Sequence, residues 1–237
     1  MNRQFAVFDI DGTLIRWQLY HAVVDRLAKK GLLGKEAYEA IHEARMVWKN
    51  REFPEAFRAY ELEVIKAYES ALPKLSVADF QTIAGEIAEE YSSQVYSYTR
   101  DLAKHLKNEG YVLLAISGSH QELVEHVGRQ YGFEDCLGTQ YLQNRGHFTG
   151  EQIFVAADKQ AALNELIKKH NLSLKGSYAV GDSKSDAPML AMVDNPVAFN
   201  PDRNLFDIAE KSGWPIVIER KNVVYQLAKH AGKYQLQ

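Results

Sequence analysis

Two aspartates lie two residues apart at the end of an apolar run. The run covers residues 5–8, Asp9 and Asp11 follow it, and Gly12 comes directly after them. A short apolar and aromatic run predicts a buried strand, and glycine permits a sharp turn beyond it. Ligands of open α/β sheets collect at that end of the strands. Because an isolated Asp-x-Asp is more often a hydrogen-bonded turn, the prediction of a catalytic strand end depends on partners elsewhere in the chain.

A second strand end has the residues of an anion site. The apolar run 111–116 leads into Ser117 and Gly118 just before a helical pattern. We expect Ser119 and Glu122 to form a capping box there. Backbone N–H groups and a hydroxyl at such a junction point to where an anion would bind. The Ser-Gly turn is therefore a candidate phosphate site, although an ordinary helix cap has the same residues.

A lysine and a second acidic pair complete the set. Lys159 lies in a helical pattern that we expect to begin at Asp158. The strand-like run 176–180 is followed by glycine and then by Asp182 and Asp186. A lone helical lysine is usually a solvated surface charge. Two acidic strand ends, a Ser-Gly turn and a lysine in one chain are much harder to explain as separate local features.

Together these segments resemble the motifs of the haloacid dehalogenase-like (HAD) hydrolases. The matches, in order, are Asp9-x-Asp11-Gly12-Thr13, Ser117-Gly118, Lys159 and Gly181-Asp182-x-x-x-Asp186. The stretch 187–202 is similar to the subgroup, subfamily IB, that contains phosphoserine phosphatase. The resemblance implies a Rossmann-like α/β core with a helical cap inserted after the first motif.

The demands of phosphate monoester hydrolysis, with the resemblance, assign roles to these residues. We expect Asp9 to attack phosphorus and form an aspartyl phosphate. Asp11 would protonate the leaving oxygen and then deprotonate the hydrolytic water. Ser117, Gly118 and Lys159 would bind the phosphoryl oxygens.

A cation is expected between the nucleophile and the anionic substrate. Carboxylates, a backbone carbonyl and water are ligands that suit Mg²⁺. The resemblance implies that Asp9, the Asp11 carbonyl and Asp182 bind this ion. Asp186 is expected either as a further ligand or as a residue that orients one.

The hydrophobic spacing divides the chain into two parts. Four amphipathic helical segments without a strand between them predict a small helical bundle, the cap, in residues 16–94. Helices and strands alternate over residues 95–237, which together with residues 1–15 predict a doubly wound, mostly parallel catalytic core.

Two further expectations concern the edges of the sheet. Alternating residues around an Asn-Arg-Gly turn predict a hairpin in residues 137–150 at one sheet edge. The apolar run 214–219 is expected to be the last strand, and the five C-terminal residues are expected to fray.

The cap is expected to select the substrate. Phosphoserine phosphatases have a glutamate where this chain has Gln18, and usually an asparagine where it has Ser185. Both departures disfavour phosphoserine, the first more strongly. Arg16 and Trp17 adjoin the hinge and are the candidate substrate contacts, against the alternative of a solvated charge and a packed ring. For His120, beside the Ser-Gly turn, we expect a position on a helix surface.

Composition narrows the classes of function. The 237 residues, 46% of them hydrophobic, suffice for one α/β core and a small accessory domain. A net charge of −3 gives no nucleic-acid signature, and the single cysteine excludes an internal disulfide or a Cys cluster for zinc. No apolar stretch approaches the ~20 residues that span a bilayer, and the first residues lead directly into a strand. We expect a soluble, cytoplasmic monomer or homodimer that binds neither nucleic acid nor membrane.

Three functions fit these observations. The first is a Mg²⁺-dependent phosphatase that acts on a small phosphorylated metabolite. The second is a phosphotransferase in which an alcohol replaces water at the aspartyl phosphate, a difference that only product analysis would show. The third is a noncatalytic phospholigand-binding protein, against which the retention of Asp9 weighs because binding alone would not require it.

Overall fold

The computed structural model describes residues 3–237, so the first two residues of the predicted core lie outside the described residues. The strands are β1 (Arg3–Phe8), β2 (Val112–His120), β3 (Asp135–Asn144), β4 (His147–Ile153), β5 (Leu172–Gly181), β6 (Asn195–Phe199), β7 (Ile216–Arg220), β8 (Val223–His230) and β9 (Lys233–Leu236). The α-helices are α1 (Leu19–Lys29), α2 (Lys35–Asn50), α3 (Ala56–Ala71), α4 (Val77–Tyr91), α5 (Ser97–Asn108), α6 (Gln121–Tyr131), α7 (Lys159–His170), α8 (Ala187–Leu190) and α9 (Arg203–Ser212).

The strands form one sheet in the order β4-β3-β2-β1-β5-β6-β7-β8-β9. The six strands from β3 to β7 in this order are parallel, and β4, β8 and β9 are antiparallel additions at the two edges. From β1 the chain builds first toward β2 and β3, and later toward β5, β6 and β7. The predicted doubly wound, mostly parallel fold is confirmed, and the order reverses beside β1, where ligands bind in such sheets.

The central strand β1 is buried on both faces because successive side chains point to opposite sides of the sheet. Ala6 and Phe8 pack in one apolar cluster with α5, α6 and the helices α1, α3 and α4. Phe5 and Val7 pack in a second cluster with α7, α8 and α9. A strand buried in this way can hold the residue that follows it in a fixed position between the two layers.

Helices α1 to α4 follow one another without an intervening strand, as predicted. We call residues 19–91 the helical insert. The two chain crossings that connect it to the sheet are hydrogen-bonded to each other: the Arg16 N–H donates to the Gln94 carbonyl over 2.8 Å, and the Tyr96 N–H donates to the Leu14 carbonyl over 3.0 Å. The division of the chain into a core and a cap with boundaries near residues 16 and 94 stays a prediction.

The sheet edges give one confirmed prediction and one that is wrong. The hairpin around Arg145 and Gly146 forms as β3 and β4. The run 214–219 is not the last strand, because β8 and β9 extend the sheet beyond β7. The C-terminal residues pair with β8 instead of fraying, and the Tyr234 hydroxyl donates to the Trp214 carbonyl over 2.8 Å. None of the helices in the described part of the chain is long and apolar enough to cross a membrane.

Candidate active site

The four predicted segments meet at the carboxyl end of β1. Asp9 follows this strand and is 5% exposed. The Lys159 ammonium donates to Asp9 Oδ1 over 2.7 Å, to Asp186 Oδ1 over 2.6 Å and to the Ile116 carbonyl over 3.0 Å. The lysine is 2% exposed at the start of α7, where Asp158 caps the helix as expected. One buried ammonium therefore joins the ends of β1, β2 and β5.

The Asp11 carboxylate lies between Ser117 of β2 and the start of α1. The Ser117 hydroxyl donates to Asp11 Oδ2 over 2.8 Å, and the Leu19 N–H at the start of α1 donates to Asp11 Oδ1 over 2.6 Å. Burial raises the pKa of Asp11, although these hydrogen bonds oppose the rise. A buried carboxyl group with a raised pKa is suited to exchange a proton with a reacting group.

Asp186 orients the turn after β5. Its Oδ2 accepts hydrogen bonds from the N–H groups of Asp182 over 3.0 Å and Ser183 over 2.9 Å, while its Oδ1 accepts from Lys159. A Cβ atom added at Gly181 would overlap the Asp186 side chain, so the turn closes tightly on this carboxylate. The shape of the turn thus accounts for the glycine at 181 and for the carboxylate at 186.

The carboxylates of Asp9, Asp182 and Asp186 offer oxygen atoms within 4.8 Å of one another. Burial raises the pKa of Asp9 to about 7 even though Lys159 opposes the rise. Burial also raises the pKa of Asp182, and the charges of Asp9 and Asp186 add to the effect. Crowded, buried carboxylates of this kind are stabilised in their ionised form by a cation.

The donor set fits Mg²⁺, which prefers carboxylate, carbonyl and water oxygens. A Cβ atom added at Gly12 would overlap the Asp182 carboxylate, so this glycine makes room for one of the candidate ligands. Lys159 keeps its charge: burial lowers its pKa, but the Asp186 and Asp9 carboxylates outweigh this and raise it. The site therefore combines one fixed ammonium with a group of carboxylates that could hold a metal ion.

A family model described as haloacid dehalogenase-like hydrolase matches residues 6–191, more than half of the chain. The chain belongs to this family. The predicted membership in the HAD hydrolases is confirmed, and the matched range spans the predicted segments from Asp9 to Asp186.

Relatives of this HAD protein include named phosphatases. It is 28% identical over 226 residues to a protein of Neisseria meningitidis named histidinol-phosphatase, covering 91% of this chain and 98% of that protein. It is 32% identical over 145 residues to a protein of Mycobacterium tuberculosis named phosphoserine phosphatase, covering 60% of this chain but 47% of that protein. A solved structure of a Bordetella pertussis protein of unknown function shares the fold, with a TM-score of 0.73, 23% identity, and coverage of 92% and 99% of the two chains.

The structure corrects two expectations beside the Ser-Gly turn of this HAD protein. Ser119 and Glu122 do not form a capping box, because β2 continues to His120 and α6 begins one residue later. The Ser119 N–H instead donates to Ser117 Oγ over 3.0 Å. His120 is fully buried rather than on a helix surface, since the longer strand carries it beneath the insert, where its Nδ1 lies 3.1 Å from the Tyr68 hydroxyl.

The two candidate substrate contacts of the cap have other neighbours here. Arg16 lies 3.0 Å from the Glu219 carboxylate at the end of β7, and its guanidinium lies over the Tyr96 ring. Trp17 is half-buried and packs edge-on against the His21 ring at 5.5 Å. Neither contact involves a carboxylate at the end of β1, so a role of Arg16 or Trp17 in substrate binding stays a prediction.

Sequence reasoning missed Glu61 of the insert. Glu61 lies two helical turns before Tyr68 on α3, so the two side chains share a helix face, and Tyr68 packs beside His120. The Glu61 side chain is 22% exposed and 3.5 Å from Arg58. Burial raises its pKa, Arg58 opposes this, and the charges of Asp11 and Asp202 add to the rise. Glu61 is a charged residue at a position where the helical spacing of α3 predicts an apolar one. This is the sequence signal that could have identified it.

Proposed function

We propose that this protein is a Mg²⁺-dependent phosphatase that hydrolyses a small phosphorylated metabolite through an aspartyl phosphate. The observation that carries the proposal is the fixed ammonium of Lys159 between Asp9 and Asp186, beside an Asp11 carboxyl held by Ser117. Asp9 and Asp11 are only two residues apart but have different partners, which suits Asp9 as the nucleophile and Asp11 as the acid.

In the first half of the reaction, the Asp9 carboxylate attacks phosphorus. Lys159 occupies Asp9 Oδ1, which leaves Oδ2 as the attacking atom. A bond forms between this oxygen and phosphorus as the ester P–O bond breaks. Asp11 transfers its proton to the leaving oxygen, so the alcohol departs neutral. The raised pKa of Asp11 supports this role.

In the second half, water attacks phosphorus and the bond to Asp9 breaks. Asp11, now ionised, takes the proton of the water, and inorganic phosphate leaves. The Gly118 N–H and the positive charge of Lys159 bind the phosphoryl oxygens, where they stabilise charge that develops in the transition state. The Ser117 hydroxyl joins them by turning its single proton from Asp11 to the substrate.

Asp9, Asp182 and the Asp11 carbonyl would hold Mg²⁺, and Asp186 would orient Asp182 through its N–H. The ion, when bound, supplies positive charge between the nucleophile and the phosphate. Because this chain's own buried cation is already paired with two carboxylates, we expect turnover to require the added ion.

For the leaving group, we propose a small alcohol that carries a cationic nitrogen. The relative matched over nearly its whole length is named histidinol-phosphatase, and another is named phosphoserine phosphatase. Both names denote phosphate esters of an alcohol that also carries an amino group. Glu61 is a carboxylate of the insert whose pKa is raised in part by the charge of Asp11, while the neutral Gln18 disfavours phosphoserine itself. Histidinol phosphate is therefore the first ester to test.

The experiment is phosphate release from a panel of esters that contains histidinol phosphate, phosphoserine, amino alcohol phosphates, sugar phosphates and nucleotides. Each assay is run with Mg²⁺, with chelator, and with the Asp9→Asn variant. We expect Mg²⁺-dependent release by the wild type alone. Transfer of phosphate to an added alcohol with no free phosphate would favour the phosphotransferase, and silence across the panel would overturn the proposal.

A further inference from the structure

The carbonyl of Gly118, within the candidate phosphate site, accepts two hydrogen bonds from different parts of the fold. The Thr139 hydroxyl on β3 donates to it over 2.6 Å. The Tyr20 hydroxyl on α1 of the helical insert donates to it over 3.1 Å. The phosphate site, built on β2, is thus held on one side by the sheet and on the other by the insert.

The direction of these hydrogen bonds is fixed by what each atom can do. A carbonyl only accepts, so the single hydroxyl proton of Tyr20 points to Gly118. The Tyr141 hydroxyl, 3.0 Å from the Tyr20 hydroxyl, must then donate to it. Burial raises the pKa of Tyr20, and burial raises the pKa of Tyr141 to about 12. Both phenols therefore keep their protons at ordinary pH.

The Gly118 carbonyl belongs to the same peptide unit as the Ser119 N–H, and peptide units are planar and rigid. That N–H donates to Ser117 Oγ over 3.0 Å, and the Ser117 hydroxyl in turn donates to Asp11 over 2.8 Å. Tyr20 is therefore the first member of a chain of contacts that ends at the proposed acid. A rotation of this peptide unit would move the serine hydroxyl that is expected to bind phosphate.

The Tyr20 ring is itself held by packing. It meets the Tyr68 ring of α3 edge-on at 5.1 Å. Tyr68 is fully buried, and its hydroxyl lies 3.1 Å from His120 Nδ1. Burial lowers the pKa of His120 to about 3, so this imidazole is neutral and can accept the Tyr68 proton. Helices α1 and α3 of the insert thus fix the position of the Tyr20 hydroxyl at the phosphate site.

We propose that Tyr20 is a positioning residue whose hydroxyl couples the seating of the helical insert to the orientation of the Ser117-Gly118 phosphate site. The inference rests on the proposed function, since it takes Ser117 and Gly118 as the place where the phosphoryl group binds. It adds that the insert acts on the phosphate site itself, in addition to any contact with the leaving group.

The test compares Tyr20→Phe with Tyr141→Phe. The first variant keeps the ring that packs on Tyr68 and removes the hydroxyl that holds Gly118. The second removes a hydroxyl from the same cluster whose hydrogen bond among the described residues is to Tyr20. The readouts are the inhibition constant of inorganic phosphate in the Mg²⁺-loaded enzyme, hydrogen exchange at the Ser119 amide, and the melting temperature.

For Tyr20→Phe we expect a weaker phosphate affinity, by roughly five- to tenfold for one lost hydrogen bond, and faster exchange at Ser119. Tyr141→Phe should change neither by more than about twofold, because Tyr20 keeps its bond to Gly118. Equal losses in the two variants, tracking a fall in melting temperature, would make Tyr20 merely structural. Unchanged phosphate affinity and exchange in Tyr20→Phe would overturn the inference.

The outcomes separate the inference from the proposed function. A wild type that releases phosphate, paired with a Tyr20→Phe variant that behaves identically, removes only the role of Tyr20. A wild type that neither hydrolyses any ester nor binds phosphate overturns both.

Discussion

Polar atoms are buried differently at the catalytic edge, formed by the strand ends around Asp9 and Lys159, and in the helical insert. At the edge, Lys159 has three acceptors and the Asp11 carboxylate has two donors, all within 3.0 Å. In the insert, Arg45 Nε and His21 Nδ1 are buried without a hydrogen-bond partner among the described residues. The charged groups of the edge are fixed by directional contacts, whereas these two nitrogen atoms of the insert are enclosed by packing.

Aromatic packing holds the centre of the insert. The Trp48 ring stacks on Tyr60 at 5.3 Å, and the His21 ring lies 4.7 Å from Tyr60. Contacts of this kind depend on shape and area and tolerate small changes in position. Charge-assisted hydrogen bonds depend on distance and angle. The difference predicts that single-atom changes at the edge destroy turnover, while changes in the insert alter substrate preference or stability.

The largest effect is expected from Asp9→Asn. The substitution keeps the shape of the side chain and an oxygen for Lys159, but the amide cannot act as the nucleophile. We expect phosphate release to fall by roughly a thousandfold or more, with the circular dichroism spectrum unchanged. Asp207→Asn, at an exposed pair with Arg203, is the control and should retain full activity. Turnover that survives in Asp9→Asn would remove Asp9 from its role.

Gly12→Ala should have the next largest effect, and Gly146→Ala is a matched control. Both glycines have φ of +79°, so alanine costs about 1 kcal/mol of backbone strain at either position. An added Cβ overlaps the Asp182 carboxylate at Gly12, but meets nothing within 4 Å at Gly146. We expect both variants to lose similar stability and only Gly12→Ala to need much more Mg²⁺ for half-maximal activity. Equal metal requirements would show that Asp182 can move aside.

The difference between the catalytic edge and the helical insert also explains which features the sequence could predict. Asp9, Lys159 and Asp186 lie at strand ends and a helix start, and these positions follow from periodicity and from fixed motif spacing. The fold around them was predictable for the same reason. The position of Glu61 depends on how α3 is rotated against the sheet, which no local pattern sets. The predicted position of His120 is wrong because Ser117 and Gly118 indicate a strand end, whereas β2 continues through them to His120.

Glu61→Gln tests whether the helical insert affects substrate preference. We expect it to lower kcat/KM about tenfold for esters whose leaving alcohol carries an amine, the loss of one hydrogen bond to a charged group. The matching esters without the amine should be unaffected. Glu63→Gln on the same helix, where the side chain is 37% exposed and 3.7 Å from Lys66, is the control. An equal loss on both kinds of ester would assign Glu61 to the structure of the insert.

The smallest effect on turnover is expected from His21→Phe, which replaces a buried ring by an apolar one in the aromatic cluster. Burial, with a smaller contribution from Arg45, lowers the pKa of His21 from 6.5 to about 4. The unfolded chain therefore binds a proton below pH 6.5 that the folded chain refuses until about pH 4, so the wild type loses stability over this window as the pH falls.

His21→Phe lacks this proton uptake, so its unfolding free energy should rise relative to that of the wild type as the pH falls from 6.5 toward 4. The difference between the two proteins should grow by up to roughly 3 kcal/mol, as measured by urea unfolding at several pH values. His120 and the carboxylates titrate in both proteins and cancel in the comparison. A difference that stays constant across the window would show that folding does not lower the pKa of His21.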